Sequence, residues 1–426
     1  MRPSPLPFVV AALLVIAPGR AAAQTLDGII NDLFTFGTCG QPLCLDVGPE
    51  HGEHFIPSVT QGNQTVLGFL TQSISRSTAN LPISATSSGT TFRIVGGLPV
   101  KTSTSAGPVY AERPQTLGRG RFFLGANVSG ISYTSLNGDP LSDLRFNFPH
   151  QDVGAPGLGD PPLENDMITD QLSLNVTVQV ASLFATWGPL DFLDLGVAVP
   201  FVRTSISGTN TAQFTPFGNV AVHRFGGDSL NPILRATKSA QGSASGVGDV
   251  VARMKLNVGQ GEHLGAALLG EVRLPTGRQE DLLGAGSAAV RALAILGAQF
   301  GTFAPHFNGG YVARTDSLQN DAIAATIGFD ALAVQWATIA FDINSEWQLG
   351  ASRITLPPPI VYSFPFERIY PATTIPEKRA NTLNASFGVK FAVRGGAVLV
   401  MNGVVPLRRT GLQADYVWTA GLEYGF

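Results

Sequence analysis

The last eleven residues constrain this chain most. In Tyr416-Val417-Trp418-Thr419-Ala420-Gly421-Leu422-Glu423-Tyr424-Gly425-Phe426, every second residue back from the terminus is apolar and most of these are aromatic. Gly425, Glu423, Gly421 and Thr419 between them are small or polar. A period of two with one apolar face is a strand set between an oily and a wet environment. Eleven residues is about the length a tilted strand needs to cross a bilayer. Aromatic residues at both ends suit the interfacial girdles of transmembrane barrels. The competing reading is an edge strand of a soluble sandwich.

The other terminus bears on the choice. Met1-Arg2, an apolar run from Phe8 to Ala17, and Ala21-Ala22-Ala23 before Gln24 have the form of a secretory signal peptide over residues 1–23. No later stretch approaches the roughly 18 unbroken apolar residues of a membrane helix. Charged residues make up 13% of the chain, against roughly 25% in ordinary soluble proteins. A protein with one face in lipid shows that deficit without helix-length apolar runs. The net charge of -3 argues against nucleic acid as a partner. Cys39 and Cys44 are the only cysteines, and in an oxidising compartment they are expected to close a small disulfide loop.

Residues 24–89 do not alternate, and Leu26–Phe34 and 64–74 carry helix-like apolar spacing. This part is expected to be a partly helical plug or a periplasmic appendage. Glu50-His51-Gly52-Glu53-His54 reads as a solvated loop, so no metal site is assigned and no cofactor is expected. From residue 90 to 426 the alternation of strands takes over. The clearest case sets Leu172, Leu174, Val176, Val178 and Val180 against Gln171, Ser173, Asn175, Thr177 and Gln179. After Gly188-Pro189, Leu193, Leu195, Val197, Val199 and Phe201 return in the same rhythm. The fold class is therefore all-β: an antiparallel transmembrane β-barrel of 14 strands, with 12 as the alternative if segments such as 91–95 are not crossings.

Connection lengths support closure. Counted back from Phe426, short connections at 394–396, 332–335, 301–302, 259–262, 188–190 and 134–140 alternate with longer ones, among them 349–381, 276–285, 209–245, 150–167 and 98–118. Outer-membrane barrels keep short turns on the periplasmic side. An open sheet would leave backbone groups unsatisfied in lipid, so the strands must close. The charged residues Asp249, Arg253, Lys255, Glu271, Arg273, Arg291, His306, Asp342, Glu346 and Glu423 lie on the polar faces. An Arg or Lys facing lipid at mid-depth would cost about 2–4 kcal/mol. They are expected to line the lumen, and their mixed signs describe a hydrated, internally paired interior.

Three resemblances add to this. Tyr416, Trp418, Leu422, Tyr424 and Phe426, ending on Phe, resemble the C-terminal signal read by the outer-membrane insertion machinery. Gly246-Val247-Gly248-Asp249 and Leu274-Pro275-Thr276-Gly277 are similar to the paired motifs of a barrel family associated with the meta-pathway of phenol degradation. A barrel preceded by an N-terminal segment also resembles the long-chain fatty-acid and aromatic-hydrocarbon transporters. Together they imply an outer-membrane channel of a Gram-negative bacterium that takes up small hydrophobic or aromatic solutes passively, with outer-membrane lipid around it. Phe214, Phe217, Phe225, Tyr362, Phe364 and Phe366 in the long loops are candidates for an external capture site. A general porin for hydrophilic solutes is the alternative. An enzyme is not expected, because no nucleophile elbow or HExxH occurs.

Overall fold

The computed structural model describes residues 24–36, 92–95, 98–101, 105–108, 110–150, 165–217, 223–228, 230–315, 319–353, 356–363, 365–393 and 396–426. The signal-peptide reading, the Cys39–Cys44 pair, the 50–54 cluster, the 64–74 spacing and Phe364 lie outside them. The strands are β1 (Phe92–Val95), β2 (Leu98–Lys101), β3 (Arg121–Leu136), β4 (Leu144–Pro149), β5 (Met167–Leu190), β6 (Leu193–Thr215), β7 (Arg235–Val247) and β8 (Val250–Gln260). They continue with β9 (Leu264–Leu274), β10 (Ala289–Ala298), β11 (Phe303–Arg314), β12 (Ala322–Val334), β13 (Ala337–Gln348), β14 (Thr382–Ala392), β15 (Ala397–Pro406) and β16 (Leu412–Gly425).

β3, β5, β6 and β8 to β16 form a closed antiparallel ring, twelve strands among the described residues. The last strand pairs with the first: Phe122 and Phe426 exchange backbone hydrogen bonds at 2.9 Å in both directions. Their rings stack at 5.8 Å. Inside the wall, the Ser129 and Thr419 hydroxyls meet across the same seam at 2.7 Å.

The count corrects the expectation of 14. The segment near 91–95 is β1, which pairs only with β2 in a separate two-stranded sheet. The segment at 144–148 is β4, which flanks the upper part of β5 without joining the ring. Strand parity does not separate twelve from fourteen, since both are even. Removing these two reverses β3, so the 134–140 connection lies at the long-loop end, where Asn137 Oδ1 accepts Gly411 N–H at 2.7 Å.

The outer surface of the ring is apolar. Met254, Leu268, Leu296, Phe307, Ile327, Phe387, Met401 and Trp418 all point outward and exposed. Phe122, Trp187, Phe192, Phe300, Trp336, Tyr424 and Phe426 mark the short-turn rim, and Tyr311, Trp347 and Tyr416 the other. No helix among the described residues is long and apolar enough to cross a membrane. Strands closed on themselves behind an apolar band solve the same problem, because every backbone group in the hydrocarbon is paired. The chain is an outer-membrane β-barrel of the Gram-negative kind.

The longest hairpin departs from this pattern. β5 and β6 run 24 and 23 residues, about twice a membrane crossing, and their upper halves rise past the ring, flanked by β4 and β7. There the faces invert. Leu172 and Val178 are 0% exposed and point inward, while Gln171, Asn175 and Gln179 point out. The aliphatic row of β5, expected to meet lipid, fills a dry core instead.

The helix α1 (Leu26–Leu33) covers that core. Thr25 caps its N-terminus, accepting Gly28 N–H at 3.2 Å. Leu26, Ile29, Ile30 and Leu33 form one apolar stripe, all buried. Glycines let the helix sit on the sheet: a Cβ at Gly242 would fall 2.8 Å from Ile29 Cγ1, and one at Gly208 would fall 2.9 Å from Leu33 Cδ1.

Candidate functional site: the lumen and its inner segment

Charges that lipid excludes are turned inward, and there they hold a length of chain. Residues 105–108 and 110–118, expected among the long outer connections, lie inside the barrel near the short-turn end. Ala106 N–H donates to Thr338 Oγ1 at 2.9 Å, low in the wall. Tyr110 N–H reaches Asp342 at 3.2 Å, at mid-depth. The chain then descends. Asn257 donates to the Pro114 carbonyl at 2.8 Å, and Leu117 N–H donates to Asp194 at 3.0 Å, next to the turn between β5 and β6. This segment has no strand period, which is why it reads as a loop; wall side chains match the N–H groups of Ala106, Tyr110, Glu112 and Leu117 and the carbonyls of Glu112 and Pro114.

Three clusters fix it. Arg113 forms a buried ion pair with Asp330, joined by the Ser105 hydroxyl. Glu112 pairs with Arg253 and lies 3.7 Å from Lys255, which is itself 3.6 Å from Asp194. Glu112 also exchanges backbone bonds with the Asn308 amide: its N–H donates to Oδ1 at 2.6 Å, and its carbonyl accepts from Nδ2 at 2.9 Å. His306 meets Asp342 at 2.6 Å.

The remaining sequence candidates are placed around this core. Lys390 pairs with Glu423 at 3.2 Å. Glu271 lies 3.6 Å from Arg291, and Arg314 pairs with Glu346 at 2.7 Å. Arg273, opposite Val251 in the β8–β9 ladder, is buried. Asp249 lies between β7 and β8, where it holds the 275–288 connection. Sequence reasoning missed Glu112, Arg113, Asp194, Asp330 and Arg314. Asp330 and Arg314 carried a usable signal, since each is a charge inside or at the end of an apolar strand; Glu112-Arg113 in an aperiodic stretch carried none.

Above the inner segment the lumen opens into a cavity of about 220 Å³. Tyr110, Glu271 and Arg291 line it with Ile131, Leu269 and Leu293, and it extends to Arg353 and Lys378 in the long connections. Among the described residues, the loop aromatics Phe214, Phe217, Phe225, Tyr362 and Phe366 do not line it. Phe214 and Phe225 pack as tilted rings 4.8 Å apart beside the α1 core, with Phe36 on Phe225 at 5.6 Å. Phe217 and Tyr362 pack against the Arg368 guanidinium at 4.7 and 5.3 Å. Burial pushes the Tyr362 phenol up to about 12, so it remains a neutral donor to the Asp166 carbonyl at 3.2 Å.

No family model matches the chain, and no curated protein matches it. Among solved structures, a COG4313 outer-membrane channel from Pseudomonas putida F1 superposes with a TM-score of 0.45 at 14% identity, over 73% of this chain and 97% of that one. A Pseudomonas aeruginosa FadL homologue gives 0.32 at 9% identity, over 72% and 90%. The monoaromatic hydrocarbon channel CymD gives 0.34 at 9% identity, over 74% and 91%. At these values the likeness carries no function across, and the chemistry of the site is read from this chain's own residues.

Proposed function

We propose that the barrel is a channel for passive entry of small hydrophobic or aromatic molecules through the long-loop end. The observation that carries the reading is the cavity of about 220 Å³ with Tyr110 and Glu112 of the inner segment in its lining. An aliphatic cavity of about 150 Å³ already holds benzene, so this one suits a single-ring solute. Ile131, Leu269 and Leu293 give it apolar wall, beside a polar lining that includes Tyr110, Glu112, Arg253, Glu271, Arg291, Asn344 and Glu346. A general porin needs water continuous from end to end, whereas here wall side chains grip a chain segment at mid-depth.

Liposome swelling tests the proposal. Reconstituted protein is expected to pass a single-ring aromatic solute faster than a sugar of equal size, and to show little ion conductance in planar bilayers. Equal permeation of both solutes removes the hydrophobic-uptake reading.

A further inference from the structure

The outward face of the hairpin extension is a polar grid continuous with the lipid-facing band. Across β5, β6 and β7, Ala181, Phe201 and Val247 stand directly opposite one another and close the apolar band. The next outward row, again in register, is Gln179, Arg203 and Ser245. Five further rows follow, the last being Thr169, Gln213 and Arg235. Every position in these rows is Ser, Thr, Asn, Gln or Arg, and none is buried. At about 3.4 Å per residue the grid extends about 34 Å along the strands. The opposite face of the same strands is the dry core under α1, so the grid looks away from the molecule.

A merely solvated surface usually mixes charges of both signs. The rows of this one hold two arginines and no carboxylate, and hydroxyls are already in cross-strand contact, as between Thr209 and Ser239 at 2.9 Å. Among the described residues, the one carboxylate touching them, Asp143 at the β4 edge, accepts from Gln171 at 2.8 Å and is paired with Arg145 at 3.1 Å, far along the strands from Arg203. Arg203 lies in the first row past the apolar band, where an outer leaflet presents phosphate. Above it, hydroxyl and amide side chains offer donors and acceptors at the level of headgroup sugars. We infer that this face docks the phosphorylated sugar headgroup of the outer leaflet's own glycolipid, lipopolysaccharide, with Arg203 on phosphate and the Ser/Thr/Gln rows on sugar. The inference depends on the long-loop end facing outward and is independent of what the lumen carries.

The test uses the full chain in detergent, incubated with deep-rough lipopolysaccharide, its dephosphorylated form, or phosphatidylglycerol, with bound lipid counted by native mass spectrometry. The native chain is expected to retain the phosphorylated glycolipid and neither of the others. Arg203→Glu is expected to bind it about tenfold more weakly, as the loss of one charge-assisted phosphate contact implies. Ser239→Glu, on the flanking strand, gives a second reading if Arg203→Glu fails to fold, as judged by heat-modifiable gel migration. Equal retention by folded variants, or equal retention of phosphatidylglycerol, overturns the inference. A Ser207→Cys chain checks the side independently: an impermeant maleimide should label it on intact cells above the native background, and labelling only after permeabilisation also overturns it.

Discussion

The Asp249 carboxylate accepts the backbone N–H of Gly277 at 3.1 Å, and its other oxygen accepts that of Ala285 at 2.8 Å. Beside it, Thr276 Oγ1 donates to the Gly248 carbonyl at 2.6 Å and accepts Val250 N–H at 3.0 Å. The two motifs, 28 residues apart in sequence, thus form one clasp. It fixes the 275–288 connection at the mouth, and the Glu280 carbonyl in that connection accepts Asp27 N–H from α1 at 3.1 Å.

Removing the clasp leaves buried N–H groups without acceptors. Asp249→Ala is expected to cost about 1.5–3 kcal/mol, the usual range for a hydrogen bond to a charged group. Asp249→Asn keeps one acceptor oxygen and should cost less. Thermal unfolding in detergent reads the loss, and limited proteolysis should show new cleavage within 275–288. Unchanged protection of that connection would show the clasp to be dispensable.

Asp330 is 0% exposed and Arg113 holds it. Breaking a buried pair from one side strands the other charge, at about 3–5 kcal/mol. Asp330→Ala should therefore loosen residues 105–118 and raise single-channel conductance above that of the native barrel. Joint replacement by Arg113→Met and Asp330→Leu removes both charges and should bring conductance back toward the native level. If the single variant conducts no more than the native chain, the segment does not obstruct the lumen.

What the sequence disclosed follows from what alternation measures. A period of two proves that a strand has two unlike surroundings, without saying which is bilayer and which is dry protein. For Met254, Leu268 and Phe387 the oily side is lipid. For Val176 and Val178 it is the core beneath α1, and nothing in β5 alone distinguishes the cases. Charges are constrained from one side, because lipid excludes them, and Lys255, Glu271, His306, Asp342 and Glu423 are all buried. The ion pairs to the inner segment were not legible, since Glu112 and Arg113, the partners of Arg253 and Asp330, lie in an aperiodic stretch far away in sequence. The helix at 26–33 was legible from its 3.6 spacing, whereas its seat on β7 rests on close approach at Gly242, which has no periodic signature.

Close approach also governs the inner segment. A Cβ at Gly297 would lie 2.8 Å from Pro114 Cδ and 3.1 Å from Cγ. The proline ring is rigid, so the segment must shift for a side chain to fit there. Gly297→Val is expected to displace residues 113–115 and raise conductance, with a stability loss of about 1–3 kcal/mol from overpacking. Gly270→Val, where a Cβ meets nothing within 4 Å, is the control and should leave conductance unchanged.

The final prediction separates the extension from the ring. Ile30 is 0% exposed in the core between α1 and the inward face of the hairpin. Ile30→Ala removes buried methyl groups without changing charge, and substitutions of this kind cost about 2–5 kcal/mol. The ring below is closed by its own ladders, including the β3–β16 seam, and contains no part of α1. Ile30→Ala should therefore expose residues 24–36 and the upper hairpin to protease while the barrel keeps its heat-modifiable migration on gels. Loss of both together would mean that the helix supports the ring itself, since a cavity confined to the extension leaves the backbone pairing of the membrane-spanning strands intact.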